Sequence, residues 1–145
     1  GGMCYAEKLL ISRQDQLSPM HTHVIKAEDI INRGGATLVV ELYGSDDAGN
    51  FAKDRGGMVR CDGMERTYGP GEKLKLAPGE SVTLMPGDWH AFWGEGGDVL
   101  IGEVSTVNDD VTDNIFREPI GRFAAIEEDV APTHLLVSDY RAWLG

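Results

Sequence analysis

Four side chains with imidazole or carboxylate donors are spaced as the ligands of one metal ion would be. His21 and His23 stand two residues apart, so on a β-strand both imidazoles project from one face and can share an ion. Glu28 lies five residues beyond His23, an odd offset that requires the chain to bend between them. His90 follows the turn-prone residues 85–88, which can bring a third imidazole back toward the other ligands.

Three imidazoles and one carboxylate suit a borderline divalent ion such as Mn²⁺, Fe²⁺, Co²⁺, Ni²⁺ or Zn²⁺. The single carboxylate leaves the site with a net positive charge, and six-coordinate geometry would leave two positions open. This is typical of a Lewis acid that binds substrate rather than of a closed structural site. The fourth histidine, His134, fits no such spacing, and we interpret it as a surface or rim residue.

The acidic balance of the chain excludes several classes of partner. A net charge of −11 offers no basic stripe for nucleic acid and disfavours anionic membrane surfaces.

No apolar run approaches the roughly 20 residues of a membrane span, and no leader sequence is recognisable. Cys4 and Cys61 match no metal or redox spacing, so we expect reduced thiols and a cytoplasmic protein.

The elements that must position the ligands are short β-like runs separated by turns. Strands are expected at residues 8–12, 37–43, 58–61, 64–68, 73–76, 81–85, 89–93 and 99–104. Asp62-Gly63 is a strong two-residue hairpin signal. Helical signals are few: a short turn at residues 26–32, ending at Arg33-Gly34-Gly35, and a terminal helix at residues 138–144 capped by Ser138. The pattern predicts an all-β sandwich or barrel.

The length of 145 residues fits one domain, which we place at residues 3–145, with Gly1 and Gly2 interpreted as an addition ahead of Met3. The polar residues 108–114 lack the spacing and the glycine of an EF-hand loop, so we interpret them as a solvated loop without a function.

The two ligand segments resemble the two sequence motifs of the cupins. His21-x-His23-x(4)-Glu28 with Gly35 resembles the first, and Gly79-x(5)-Met85-Pro86-Gly87-x(2)-His90 resembles the second. Asp15, Met85 and Gly94 depart from the usual residues, but none of them is a ligand. The resemblance implies an all-β, cupin-type β-barrel (jelly roll) with a few short helices, and it adds weight to the proposed metal site.

More specifically, the chain resembles the D-lyxose isomerases over nearly its whole length. The resemblance rests on these blocks: Pro19-Met20-His21-Thr22-His23, residues 26–35 (KAEDIINRGG), residues 86–92 (PGDWHAF), residues 103–110 (EVSTVNDD), residues 118–123 (EPIGRF) and Glu127-Glu128-Asp129. It implies a metal-dependent aldose–ketose isomerase acting on D-lyxose and D-xylulose, with D-mannose and D-fructose as a second pair. Mn²⁺ is then the first metal expected, and a homodimer the expected assembly.

The resemblance also implies roles for residues whose spacing alone would say nothing. Glu118 is the expected base, because the lone pairs of Glu28 are committed to the metal. Further catalytic residues are expected at Lys8, Lys26 and Asp129, and substrate contacts at Trp89, Phe92 and Arg122. Without the resemblance, each would be interpreted as an exposed charge, a surface ion pair or a core aromatic.

Two other functions are compatible with the same four ligands. An iron-dependent cupin dioxygenase would consume O₂ and would give no reason for Glu118 and Asp129 beside the metal. A non-catalytic sugar-binding cupin would bind metal and sugar without turnover.

Overall fold

The computed structural model describes residues 2–120, 129–135 and 140–144, and nearly all of their regular structure is β. The strands are β1 (Tyr5–Ser12), β2 (Ser18–Thr22), β3 (Glu28–Ser45), β4 (Phe51–Ala52), β5 (Gly57–Cys61), β6 (Met64–Tyr68), β7 (Glu72–Leu76), β8 (Ser81–Leu84), β9 (Trp89–Thr106) and β10 (Ile115–Phe116). One short helix, α1 (Tyr140–Trp143), lies near the end of the chain. The all-β prediction is confirmed.

The strands form an antiparallel sheet. Its main path of hydrogen-bonded neighbours has the strand order β10-β2-β9-β3-β8-β5-β6. β1 pairs with β9, while β4 and β7 pair with β3. Among the described residues this path does not return to its start, so the barrel is not closed by hydrogen bonds. The two long strands β3 and β9 make contact with most of the others and form the centre of the sheet.

A ribbon of β3 and β9 brings distant ligands together by folding back on itself. Glu28 pairs with Ser105 at one end of the ribbon, and His90 pairs with Leu42 at the other, fourteen residues along β3. A straight ribbon would hold these ends roughly 45 Å apart. Instead, Oε1 of Glu28 lies 3.1 Å from Nε2 of His90. The ribbon is therefore curled so strongly that its two ends meet.

Glycines near the middle of the ribbon allow this bend. The pairing of β3 with β9 shifts register on both sides of Gly34 and Gly35, and Gly35 has a φ of 98°. A Cβ at Gly35 would overlap the carbonyl oxygen of Asp98 on β9, so only glycine fits this close approach. Two separate strands were predicted at residues 89–93 and 99–104. Both belong to the single strand β9, because the glycines between them let the strand bend without ending.

The helical turn predicted at residues 26–32 is wrong: Glu28 to Asn32 form the first part of β3. Burial alternates there, with Glu28, Ile30 and Asn32 buried and the residues between them partly exposed. Glu28 pairs with Leu84 on one side and Ser105 on the other. Pairing on both edges outweighs the local helical signal, because buried backbone groups must be hydrogen-bonded.

The other local predictions hold where the structure describes them. β5 and β6 form the hairpin around Asp62 and Gly63, which both have positive φ. α1 falls within the predicted terminal helix, whereas its proposed cap, Ser138, lies outside the described residues. His134 is exposed, and Cys4 and Cys61 are free thiols.

The core is apolar and lies between the two halves of the folded ribbon. Its fully buried side chains come from β3, β7, β8 and β9: Ile30, Leu38, Val40, Leu42, Leu74, Val82, Leu84, Val99 and Ile101. In the ranges that the structure describes, no helix has the length and apolar character needed to cross a membrane.

Candidate metal centre

The four predicted ligands converge where the two ends of the folded ribbon meet. β2 carries His21, the bend after β2 carries His23, the start of β3 carries Glu28, and β9 carries His90. One ligand atom from each lies within 4.8 Å of the other three. The bend predicted between His23 and Glu28 is present at Val24 and the residue after it. The group could therefore hold a metal ion.

Each imidazole is oriented by a backbone carbonyl. The Nδ1–H groups of His21, His23 and His90 donate to the carbonyl oxygens of Pro19 (2.7 Å), Asp113 (2.6 Å) and Asp88 (3.0 Å), respectively. A carbonyl can only accept, so the proton of each neutral ring is on Nδ1. Nε2 of every ring is then a free lone pair directed at the shared point, as a metal ligand requires.

Three of the converging atoms are buried without a hydrogen-bond partner. They are Nε2 of His23, Nε2 of His90 and Oε1 of Glu28. Oε1 of Glu28 lies 3.3 Å from Nε2 of His23 and 3.1 Å from Nε2 of His90, so lone pairs face lone pairs. A buried acceptor without a partner costs about 1–3 kcal/mol. A cation at their centre would satisfy all three, so the residues fit a divalent metal ion.

The ionisation of the ligands agrees with this fit. Burial, and then the nearby His90, lower the pKa of His21 to about 3, so this ring is neutral at ordinary pH. Burial alone would raise the pKa of the Glu28 carboxyl. The charged Nζ of Lys26, 2.6 Å from Oε2, opposes burial by favouring the ionised carboxylate, and it holds that pKa below its usual range. The centre therefore presents a neutral His21 imidazole and an ionised Glu28 carboxylate.

A buried lysine forms an ion pair with the second carboxylate oxygen of Glu28. Lys26 is 3% exposed, and its Nζ lies 2.6 Å from Oε2 of Glu28 and 2.9 Å from Oε1 of Glu103. Burial alone would lower the pKa of Lys26, but these two carboxylates outweigh burial and raise it. Lys26 therefore keeps its charge and leaves only Oε1 of Glu28 for the metal.

A cavity of about 340 Å³ adjoins the group of ligands. His21 and Glu28 form its floor, and Lys8, Lys26, Glu103, Asp110, Phe92, Phe116 and Ile120 are among its walls. Nζ of Lys8 lies 3.2 Å from Oε1 of Glu103 and 3.3 Å from Oδ1 of Asp110. Charged donors and acceptors on one wall and aromatic rings on another would suit a small polyhydroxylated molecule.

The structure brings some of the other predicted residues to this cavity and not others. Lys8, Lys26 and Phe92 line it. Trp89 is buried, and its Nε1–H donates to Oγ of Ser45 at 3.1 Å, so its polar end is occupied away from the ligands.

Glu118 is not among the residues that line the cavity. Its side chain is 79% exposed, and Oε1 lies 3.5 Å from Nε of Arg117. Asp129 is also exposed. Arg122 lies outside the described residues, so its predicted role stays a prediction. Phe116 and Ile120 line the cavity on either side of Glu118 in sequence, which places Glu118 near the rim.

Two carboxylates near the centre were not singled out from the sequence. Glu103 is 8% exposed. Its spacing of two residues from the apolar Ile101 is a sequence signal that it faces inward on a strand, but nothing in the sequence indicates its lysine partners. Asp113 is 4% exposed and contacts the bend between His23 and Glu28. The interpretation of residues 108–114 as a solvated loop is therefore wrong for Asp113.

Comparison with known proteins identifies relatives along most of the chain. A family model described as D-lyxose isomerase matches residues 1–140. A D-lyxose/D-mannose isomerase of Serratia proteamaculans is 51% identical over 143 residues, which cover 97% of this chain and 62% of the relative. The D-lyxose/D-mannose isomerase of Escherichia coli O157:H7 is 48% identical over 140 residues, covering 95% and 61%. The chain thus spans about three-fifths of the length of these curated relatives.

Solved structures of lower identity share the fold. An L-ribose isomerase of Cellulomonas parahominis has a TM-score of 0.56 at 20% identity, over 78% of this chain and 57% of its own. A dTDP sugar isomerase of Desulfovibrio desulfuricans G20 has a TM-score of 0.58 at 9% identity, over 81% and 67%. An oxalate oxidase has a TM-score of 0.54 at 15% identity, over 78% and 46%. The cupin-type fold is confirmed, and because isomerases and an oxidase share it, the fold alone does not select the chemistry.

Proposed function

The chain belongs to the D-lyxose isomerase family, and from that membership we propose that the protein interconverts D-lyxose with D-xylulose and D-mannose with D-fructose. The observation that carries the proposal is the set of three buried ligand atoms without hydrogen-bond partners, one of them on Glu28, which lines a charged cavity. These three atoms are hydrogen-bond acceptors that point toward one another, and a cation between them would satisfy all three. The adjoining cavity has room for a sugar.

We propose His21, His23, Glu28 and His90 as the ligands of one Mn²⁺ ion. When bound, such an ion supplies Lewis-acid stabilisation of the negative charge that develops on sugar oxygens. Co²⁺, Zn²⁺, Fe²⁺ and Ni²⁺ suit the same ligands, and availability selects among them.

The two cavity lysines are proposed to position the sugar. Lys26 and Lys8 each present an ammonium group beside Glu103, so their positions are fixed before the substrate arrives. Ammonium groups donate to hydroxyl and carbonyl oxygens, and preorganised donors stabilise developing charge without further rearrangement. Phe92 forms an apolar wall against a carbon face of the sugar.

Aldose–ketose isomerisation moves a proton between C1 and C2 and therefore needs a base with a free lone pair. Glu28 faces the metal site and Lys26, and Glu103 is held by two ammonium groups, so both are weak bases. We retain Glu118 as the proposed base, since it lies between the cavity residues Phe116 and Ile120 in sequence and, among the described residues, is held by one exposed ion pair. Asp129 is proposed to contact a sugar hydroxyl and Arg122 to orient a carboxylate. Trp89 is proposed to support the wall from behind.

We also propose a homodimer in the cytoplasm. Tyr5, Leu9 and Ile11 project from one face of β1 and are 55%, 66% and 68% exposed. Within the described part of the chain, β1 pairs only with β9, so its second edge is open. A second copy would cover both the apolar face and the open edge. The free thiols Cys4 and Cys61 are compatible with a reducing compartment.

Conversion of D-lyxose by the Mn²⁺-loaded protein, followed by NMR in D₂O, tests the proposed activity. Formation of D-xylulose is expected, with deuterium at the exchanged carbon wherever the base exchanges its proton with solvent. An oxygen electrode run in parallel with Fe²⁺-loaded protein distinguishes a dioxygenase. If no pentose or hexose is converted with any divalent ion, the isomerase proposal is wrong; sugar binding without turnover would then indicate a non-catalytic cupin.

A further inference from the structure

Asp113 is a buried carboxylate in the turn that follows β9. It is 4% exposed, although the residues around it in sequence are polar and mostly exposed. Its own N–H donates to the carbonyl oxygen of Asp109 at 2.9 Å, which turns the side chain inward. A buried carboxylate is costly unless its oxygens accept hydrogen bonds, so its partners show what it stabilises.

Those partners are three consecutive backbone N–H groups of the metal-binding bend. Oδ1 accepts from Val24 at 2.8 Å and from Ile25 at 3.0 Å, and Oδ2 accepts from Lys26 at 2.9 Å. These residues connect His23 to Glu28, so one carboxylate fixes the backbone between two of the ligands.

The two residues at the tip of this bend do not hold it in place by side-chain packing. Val24 and Ile25 are 67% and 73% exposed, so neither anchors the segment in the core. The backbone carbonyl of Asp113 also accepts from Nδ1 of His23 at 2.6 Å. Asp113 therefore sets both the path of the bend and the orientation of one ligand ring.

We propose that Asp113 is a positioning residue of the metal centre, which preorganises His23 and Glu28 and so strengthens metal binding. The inference rests on the metal site and does not require that the protein isomerise sugars. Substitutions of groups that orient metal ligands typically weaken affinity 10- to 100-fold. Asn at position 113 would turn an N–H₂ group toward backbone N–H donors and remove the charge, so a loss in this range is expected.

The test compares the Mn²⁺ affinity of the wild-type protein with those of Asp113→Asn and Asp109→Asn, measured by electron paramagnetic resonance of free Mn²⁺. Asp109 is the matched control, because it lies in the same turn, and among the described residues its carboxylate accepts a hydrogen bond only within that turn, from the N–H of Val111 at 2.8 Å. Asp113→Asn should bind Mn²⁺ about 10- to 100-fold more weakly, and Asp109→Asn should match the wild type. Equal affinities for Asp113→Asn and the wild type would overturn the proposal.

Two further measurements separate positioning from general stability. The visible absorption spectrum of the Co²⁺-loaded protein should change in Asp113→Asn, because the backbone between His23 and Glu28 is no longer fixed by the carboxylate. It should not change in Asp109→Asn. If Asp113→Asn does not fold, amide hydrogen exchange of the wild-type protein decides. The N–H groups of Val24 and Ile25 should then be protected from exchange despite their exposed side chains. Rapid exchange would show that the Asp113 carboxylate does not hold this backbone, and it would refute the proposal. A wild-type protein that binds no Mn²⁺ would overturn the metal site together with this proposal.

Discussion

Lys26 lies between the carboxylates of Glu28 and Glu103 and is the most consequential single charge near the metal centre. Removing one partner of a buried ion pair leaves an uncompensated charge and typically costs about 3–5 kcal/mol. A bound divalent ion would neutralise Glu28 independently of Lys26. The stability lost with Lys26 should therefore depend on the presence of metal.

Lys26→Met is expected to lower the free energy of unfolding of the metal-free protein by about 3–5 kcal/mol, and by less when Mn²⁺ is bound. Urea denaturation with and without Mn²⁺ measures both values. Lys75→Met is the control, since Lys75 pairs with Glu95 at 2.5 Å but is 60% exposed, and exposed pairs contribute about 0–1 kcal/mol. Equal, small effects of the two substitutions would contradict the buried ion-pair network.

The assignment of the base is tested by two matched amide substitutions. Glu118→Gln should lower kcat by about 10²- to 10⁴-fold, the usual contribution of a general base, and should leave the Mn²⁺ content unchanged. Glu103→Gln should act through Lys8 and Lys26 and raise KM as well as lower kcat. Near-normal kcat for Glu118→Gln together with a large loss for Glu103→Gln would transfer the role of base to Glu103.

The four ligands were predictable from sequence because histidine spacing on a strand is a local property. Glu103 and Asp113 were not, because their importance comes from partners far along the chain. Asp113 contacts residues almost ninety positions away, and nothing in its own surroundings distinguishes it from a solvated aspartate. The sequence around Glu118 favours an exposed side chain, as the structure has it, and only the family resemblance gave this residue a catalytic role.

At the scale of elements, tight turns were predictable and strand continuity was not. Asp62-Gly63 specifies its hairpin by local backbone conformation, and β5 and β6 flank it as expected. The first part of β3 looked like a helical turn because its pairing with β8 and β9 is invisible locally. The glycines of β9 were interpreted as chain breaks, whereas they permit bends within one strand.

The bend of the β3–β9 ribbon leads to a prediction about Gly35. Gly35→Ala should destabilise the protein by roughly 2–5 kcal/mol, from about 1–2 for the left-handed backbone and about 1–3 for the clash with Asp98. Gly79→Ala is the control, because Gly79 has a φ of 96° against 98° for Gly35 but has no atom within 4 Å of its added Cβ. Thermal and urea unfolding of both variants measure the difference.

Gly35→Ala should also weaken Mn²⁺ binding, since the bend brings Glu28 and His90 together. A Gly35→Ala protein no less stable than Gly79→Ala would show that the close approach to β9 does not constrain the ribbon.

At the scale of the whole molecule, the exposed apolar side chains of Tyr5, Leu9 and Ile11 on β1 support the proposed dimer. Leu9→Glu should shift the protein from dimer to monomer in light scattering after size exclusion, because a charge would be buried against the second copy. Met64→Glu is the control, since Met64 is 72% exposed on β6, away from that face. A wild-type monomer, or a Leu9→Glu dimer of unchanged affinity, would contradict the proposed assembly.

The overall architecture could be anticipated because short strands separated by glycine-rich turns admit few arrangements. The chemistry could not be anticipated from the fold, which isomerases share with an oxidase. We propose that the lysines and carboxylates around the four ligands determine which chemistry the fold carries out.

The dependence of isomerisation on bound metal tests the central claim most directly. Protein stripped of metal by a chelator would be titrated with Mn²⁺, and D-lyxose conversion measured alongside the number of ions bound per chain. We expect no conversion by the stripped protein and activity that rises in proportion to occupancy, saturating at one ion per chain. Full conversion by metal-free protein, or one ion bound per chain without conversion, would contradict the account.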